Sequence, residues 1–201
     1  MTVADSGAPR AADAHGSIPA SAADPLILTL RLDGDSFTRF SGERARFFPP
    51  ARNIVPAHLT LFHHLPGERH ASIARTLAGL AARTPPLRLI VSSLRSLGRG
   101  VAYEVRSPAL AAFRGALARE WMDNLTRQDA QAYRPHVTIQ NKVGADAASA
   151  LLVRLSATFA PFEAVGTGVL LWRYRGGPWE AVGEFAFAEA PEQASTHEGG
   201  L

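Results

Sequence analysis

A four-residue pattern, His, apolar, Thr, apolar, occurs twice in this chain, as His58-Leu59-Thr60-Leu61 and His136-Val137-Thr138-Ile139. Side chains alternate between faces along a strand, so each copy places an imidazole and a hydroxyl on one face and two apolar anchors on the other. Each copy stands shortly after a proline, Pro56 or Pro135, and leads into a turn, a helix and further strands. The two copies lie 78 positions apart, and the element order repeats although most side chains do not. That is the signature of a diverged duplication rather than of a repeat array. The order predicts an α+β, bilobal, pseudo-duplicated fold: two antiparallel sheets facing a central cleft, with helices packed outside.

The remaining elements follow from periodicity and punctuation. Residues 26–32 are apolar enough for a buried strand, which Asp33-Gly34-Asp35 ends, and residues 42–48 read as a short helix stopped by Pro49-Pro50. The first motif strand covers 57–65. An amphipathic helix covers 68–83, with Ile73, Leu77 and Leu80 at helical spacing. Strands at 87–93 and 101–106 precede a helix that Ser107 caps and Pro108 opens, running to about residue 125. The second motif strand, a helix over 146–156 and strands over 161–174 and 179–187 complete the order, the last two joined by Gly176-Gly177-Pro178. Residues 1–24 and 189–201, rich in small and polar residues, are expected to be tails flanking a single domain over 25–188.

With 201 residues, 46% of them hydrophobic, the chain can bury one core or two small lobes sharing a seam. No apolar run is long enough to span a bilayer, and the first residues lack the basic start and apolar stretch of a secretory signal. There is no cysteine, which excludes disulfides, thiolate zinc sites and cysteine nucleophiles and accords with a cytoplasmic location. The net charge is +3, spread without a basic block, so a nucleic-acid sheath held by charge alone is not expected. Lys142 is the only lysine among 21 cationic side chains, and arginine suits bidentate contact with phosphate, although coding bias explains the preference equally well.

Two histidines and two hydroxyls around one small volume are sufficient for acid–base chemistry at a phosphate. One imidazole removes a proton from the attacking water or hydroxyl, and the other gives a proton to the departing oxygen. The threonine hydroxyls, held stiffly by β-branching, donate to the phosphoryl oxygens. Neither a metal nor a cofactor is required.

With these motifs in view, the chain resembles the 2H phosphoesterase superfamily, and within it the 2′-5′ RNA ligase-like branch, also described as RNA 2′,3′-cyclic phosphodiesterases. The resemblance runs from Leu26 to Phe187. It rests on Pro56-Ala57-His58-Leu59-Thr60-Leu61-Phe62, on Arg134-Pro135-His136-Val137-Thr138-Ile139-Gln140, on the strand over 26–32, on the helix before the second motif, and on the closing Leu170-Leu171-Trp172-Arg173-Tyr174. It implies a bilobal fold with the motifs facing across a cleft, and metal-independent opening of a cyclic phosphate to a 2′-phosphate, or the reverse joining reaction. It implies His58 and His136 as catalytic and Thr60 and Thr138 as phosphate-binding. The chain departs from the commonest family pattern after the first motif, with Phe62-His63-His64-Leu65-Pro66-Gly67 where many members carry Phe-Leu-Gly.

Arg134 shares parity with His136 and is a candidate phosphate clamp. Phe62, Tyr133, Gln140 and Lys142 are candidate substrate contacts by strand parity or by position at the cleft mouth. In an ideal strand His64 would share the face of His58 and His63 would turn away. A metal site combining His58, His63, His64 and His70 is the rival reading, but it lacks supporting carboxylates apart from Glu68. The expected partner is an RNA end or nucleotide bearing a 2′,3′-cyclic phosphate, with no membrane and no obligate protein partner. The competing functions are a non-catalytic nucleotide or RNA-end binding protein and a phosphoesterase of another cyclic phosphate. An ATP-driven ligase is disfavoured, since neither a glycine-rich nucleotide loop nor a lysine nucleophile motif is evident.

Overall fold

The computed structural model describes residues 24–189; the expected tails lie almost wholly outside that range. The element that organises the molecule is its longest strand, β6 (Phe162–Arg173). Its C-terminal part pairs with β1 (Leu26–Leu32) on one edge and with β7 (Glu180–Ala186) on the other, while its N-terminal part pairs with β3 (Leu87–Ser96). β1 carries β2 (Leu59–Leu65), and β3 carries β4 (Val101–Arg106) and then β5 (His136–Gln140). The result is two four-stranded antiparallel lobes, β2-β1-β6-β7 and β5-β4-β3-β6, that share β6. They meet again at one residue pair, Leu59 opposite Val137, so six strands close into a ring. The two sheets expected from the sequence are therefore two halves of one hydrogen-bonded system.

That single pair decides the site. Leu59 and Val137 follow the two motif histidines and are fully buried. Antiparallel register at this pair sets His58 beside Thr138 and Thr60 beside His136.

The helices do not stay with their own half of the chain. α1 (Gly34–Phe47) crosses to the second lobe, where Phe40 packs 5.8 Å from the rings of both Tyr103 and Phe162. It lies beside α4 (Ala145–Ser156), whose Arg154 covers the Phe47 ring. α3 (Pro108–Glu120) crosses the other way: Phe113 stacks edge-on against Phe187, and Trp121 at its end packs on Phe62. α2 (His70–Ala81) lies along β6 and β7, burying Ile73, Leu77 and Ala81. Exchange of α1 and α3 ties the lobes together, so the duplicated element order is not a duplication of independent units.

Most element bounds agree with the sequence reading, and Ser107 caps α3 as expected, its Oγ accepting from the Leu110 amide at 3.2 Å. α3 ends at Glu120 instead of near residue 125 and β3 runs on to Ser96, but the main exception is α1, expected over 42–48 and beginning at Gly34. Asp33 does end β1, yet it is also the helix cap, its carboxylate accepting from the amides of Asp35 and Ser36 at 3.0 Å. Its first turns bury only Ser36 and Phe40, too thin an apolar stripe to read as a helix beforehand.

Candidate active site

The two motifs are built alike at the atomic level. His58 Nδ1 donates to the carbonyl of Pro56 at 2.8 Å, and His136 Nδ1 donates to the carbonyl of Arg134 at 2.9 Å, each two residues back along the chain. An acceptor at Nδ1 fixes the proton there in the neutral ring and leaves Nε2 with a free lone pair. Both imidazoles, both threonines, Ile27, His63 and Trp179 line one cavity of about 170 Å³.

Burial pushes the His58 imidazole down to about 4, with the nearby charges of Arg44, His136 and His63 acting the same way against the opposing bond to Pro56. Burial also lowers His136; its bond to the Arg134 carbonyl opposes this, Arg95 and His63 reinforce it, and Glu104 opposes it. Both rings are therefore neutral near pH 7 when no anion is bound.

Three residues that the sequence reading did not single out complete the site. Arg44, on α1 and only 5% exposed, donates from Nε to Asn53 Oδ1 (2.8 Å) and the Val55 carbonyl (3.1 Å), and from Nη1 to the Thr138 carbonyl (2.9 Å). One guanidinium thus holds the approach to the first motif against the second, and its positive charge faces neutral acceptors. Arg95, on β3, brings Nη2 to 3.4 Å from His136 Nδ1 and Nη1 to 3.8 Å from Glu104. It reaches the histidine because Arg95, Ala102 and Thr138 form one cross-strand row, and the alanine leaves the space open. Trp179, in the β6–β7 hairpin, lies with its ring 4.7 Å from that of His58. The hairpin turns at Gly176, whose φ of +82° is one that side chains resist. The turn signal Gly176-Gly177-Pro178 was legible, but not the direction in which it throws the indole.

The remaining candidates divide. Arg134 and Tyr133 line a second, polar cavity of about 420 Å³ that opens from the histidines and also contains Arg95, Asn141 and Gln128. The Tyr133 hydroxyl donates to the Thr60 carbonyl at 3.2 Å, and burial pushes its phenol up. Phe62 is fully buried and lies in the core, not at the cleft. The reason is a bulge: Thr29 opposes Thr60 but Leu28 opposes Phe62, so one extra residue on β2 inverts the alternation. The same bulge turns His63 into the cleft and leaves His64 outside it. His63 donates its backbone amide and Nδ1 to the buried carboxylate of Asp129 at 2.9 and 3.0 Å, and Asp129 also accepts from the His64 amide at 3.0 Å. Burial alone would raise Asp129, but these bonds win and hold it below the usual carboxylate range.

A second bulge, where Val101 and Ala102 oppose Gln140 and Thr138, carries Gln140 away from the cleft into a separate cavity under α1 and α4. Lys142 lies past the strand end at φ +60°, exposed and outside both cleft cavities. Among the described residues no three His, Asp or Glu side chains converge as metal ligands, so the His58–His63–His64–His70 set does not assemble.

Comparison with known proteins agrees with this architecture. Residues 19–178 match the family described as the 2′-5′ RNA ligase superfamily. The chain belongs to this superfamily of 2H phosphoesterases. No curated protein matches it in sequence. Among solved structures, TT0787 of Thermus thermophilus superposes with a TM-score of 0.58 at 15% identity, over 82% of this chain and 98% of that one. E. coli LigT in apo form gives 0.52 at 18% identity over the same shares, and LigT complexed with NADP+ gives 0.53 at 19%. At these identities the likeness establishes the shared fold. Among the described residues no helix is long and apolar enough to cross a membrane.

Proposed function

We propose that this protein is a metal-independent phosphodiesterase that opens 2′,3′-cyclic phosphates on RNA ends or nucleotides to 2′-phosphates, and that the same centre supports 2′-5′ joining in reverse. The observation that carries the reading is the convergence of His58, Thr60, His136 and Thr138 on one small pocket of about 170 Å³. His136 accepts a proton from water as the water oxygen bonds to phosphorus. The bond from phosphorus to the 3′ oxygen breaks, and His58, which takes up a proton from solvent as the anionic substrate binds, gives that proton to the oxygen. The products are a 2′-phosphomonoester and a free 3′-hydroxyl, and His136 returns its proton to solvent before the next turnover. Arg95 beside His136 and Arg44 near His58 both disfavour protonation of the free imidazoles, so the acid form is made only when an anion is bound. Thr60 and Thr138 donate to the equatorial oxygens. E. coli LigT, solved with NADP+ and with ATP, supports a nucleotide as the ligand class.

The test is turnover of 2′,3′-cyclic nucleotides and cyclic-phosphate-ended RNA with EDTA present, followed by the position of the phosphate in the product. His58→Ala and His136→Ala are each expected to lower kcat by about 10²–10⁴-fold, the usual worth of a proton-transfer group. Undiminished turnover in both variants refutes the mechanism. Binding without turnover in the unaltered protein would make it a nucleotide-binding relative instead.

A further inference from the structure

The phosphate pocket lies between two larger cavities of opposite character. The one on the His136 side is polar and cationic, with Arg95 and Arg134 on its wall. The one on the His58 side, about 370 Å³, is walled by Trp172, Trp179 and Leu170 and bounded outside by Phe37 and Ile54. His58 and Trp179 line both this cavity and the phosphate pocket, so the two are continuous. Each flanking cavity has more than twice the volume of the pocket between them.

Phe37 and Ile54 are 42% and 59% exposed, among the few large apolar side chains of the described residues left in solvent, and they gather here beside a reactive group. Trp172 is held by its indole N–H, which donates to Thr29 Oγ1 at 2.8 Å, and the Trp179 ring stands 6.1 Å from it. The cavity thus has two flat aromatic walls, one of them fixed by a hydrogen bond. At the rim, Arg31 pairs with Glu184 and donates to Thr167, so this side offers no free cation to a phosphate but does offer hydrogen-bonding groups to the edge of a ring. That combination fits a nucleobase better than an aliphatic chain or an anion.

A mononucleoside 2′,3′-cyclic phosphate has one base and can fill only one flank. In a ribose, C1′ with its base adjoins C2′, and C4′ with the 5′ arm adjoins C3′, so base and 5′ arm leave the cyclic phosphate on opposite sides. We infer that the cavity beside His58 seats the base of the penultimate nucleoside of an RNA end, with the terminal nucleoside on the Arg95 side, so that a base at the penultimate position adds to substrate capture. This orientation turns O3′ toward His58, the proton donor named above. The inference rests on the reading of the centre as a cyclic phosphodiesterase.

The experiment compares kcat/KM of the full chain for adenosine 2′,3′-cyclic phosphate and for the dinucleotide ApA ending in a 2′,3′-cyclic phosphate. A third substrate is the same dinucleotide with an abasic 5′ residue. The dinucleotide is expected to be favoured about tenfold or more, the usual range for one base stacked on aromatic side chains. The abasic substrate is expected to fall back to the mononucleotide. Ile54→Arg, which fills the outer wall, is expected to bring the dinucleotide-to-mononucleotide ratio close to one, and a ratio is insensitive to a partly folded preparation. Equal rates for mononucleotide and dinucleotide, full preference retained by the abasic substrate, or an unchanged ratio in Ile54→Arg each overturn the inference while leaving the two-histidine chemistry standing. Failure to open any of the three substrates overturns both.

Discussion

Replacing His58 with glutamine should flatten the acid side of the protein's stability profile. The unfolded chain protonates this imidazole near its ordinary value of 6.5, whereas burial holds it at about 4 in the fold. Between those values the unfolded state carries more protons, so protonation favours unfolding and stability rises with pH across the window. The contribution is fully present above pH 6.5 and drains away as pH falls toward 4. Integrating the linkage from pH 7.5 to pH 4.5 gives a loss of about 2–3 kcal/mol from this one ring. Glutamine cannot titrate, but it can still donate to the Pro56 carbonyl that the ring now engages. His136 is depressed in the same direction, but it is present in both proteins and cancels in the comparison. Urea unfolding at pH 7.5 and 4.5 measures the change for each protein, and the difference between the two changes isolates His58. A difference below about 0.5 kcal/mol would mean that the ring is not desolvated as the structure has it, and the argument for a neutral free-state imidazole would fail with it.

Two substitutions probe the framework behind the site. Arg44→Met should cost about 3 kcal/mol, because the Val55 and Thr138 carbonyls and Asn53 Oδ1 lose a charged donor in a buried setting, and kcat/KM should fall at least tenfold as the motifs loosen. Chemical denaturation together with steady-state kinetics reads both effects. Gly100→Ala should cost about 2–3 kcal/mol by urea unfolding, since an added Cβ would stand 2.0 Å from the Gln140 carbonyl oxygen and part β4 from β5. A neutral result would show that the β4–β5 pairing at that end is loose.

The twofold motif, its strands and the α+β class were legible because each depends on local alternation and punctuation. What escaped the sequence depends on strand pairing. Phe62 and His63 exchange faces because β2 carries one residue more than β1 at that point, and a bulge leaves no periodic trace in a single strand. Gln140 is misread for the same reason on β5. Arg44 and Arg95 come from α1 and β3, far along the chain from both motifs, and only the crossing of α1 to the second lobe brings the first of them to the Thr138 carbonyl. Trp179 marks the reverse case: the turn is plain, but its partner His58 is known only once β6 pairs with β1.

These residues give the cleft an electrostatic imbalance that a phosphate would correct. Arg44 makes its hydrogen bonds to uncharged oxygens, Arg95 approaches Glu104 no closer than 3.8 Å, and both cations oppose protonation of the neighbouring imidazoles. An anion in the pocket reverses the sign of the local field, so the histidine pKa values rise on binding and a proton enters with the phosphate. By linkage, the affinity for an anion that does not itself titrate, such as sulfate, must then increase as pH falls from 8 toward 5.5. Calorimetric titration of sulfate at pH 6.5, in buffers of different ionisation enthalpy, counts the protons taken up. Net uptake that disappears in the His58→Gln, His136→Gln double variant would locate the coupling in the imidazole pair. Sulfate binding with no proton uptake would mean that the rings do not sense the anion, and that the acid required for catalysis is not made by binding.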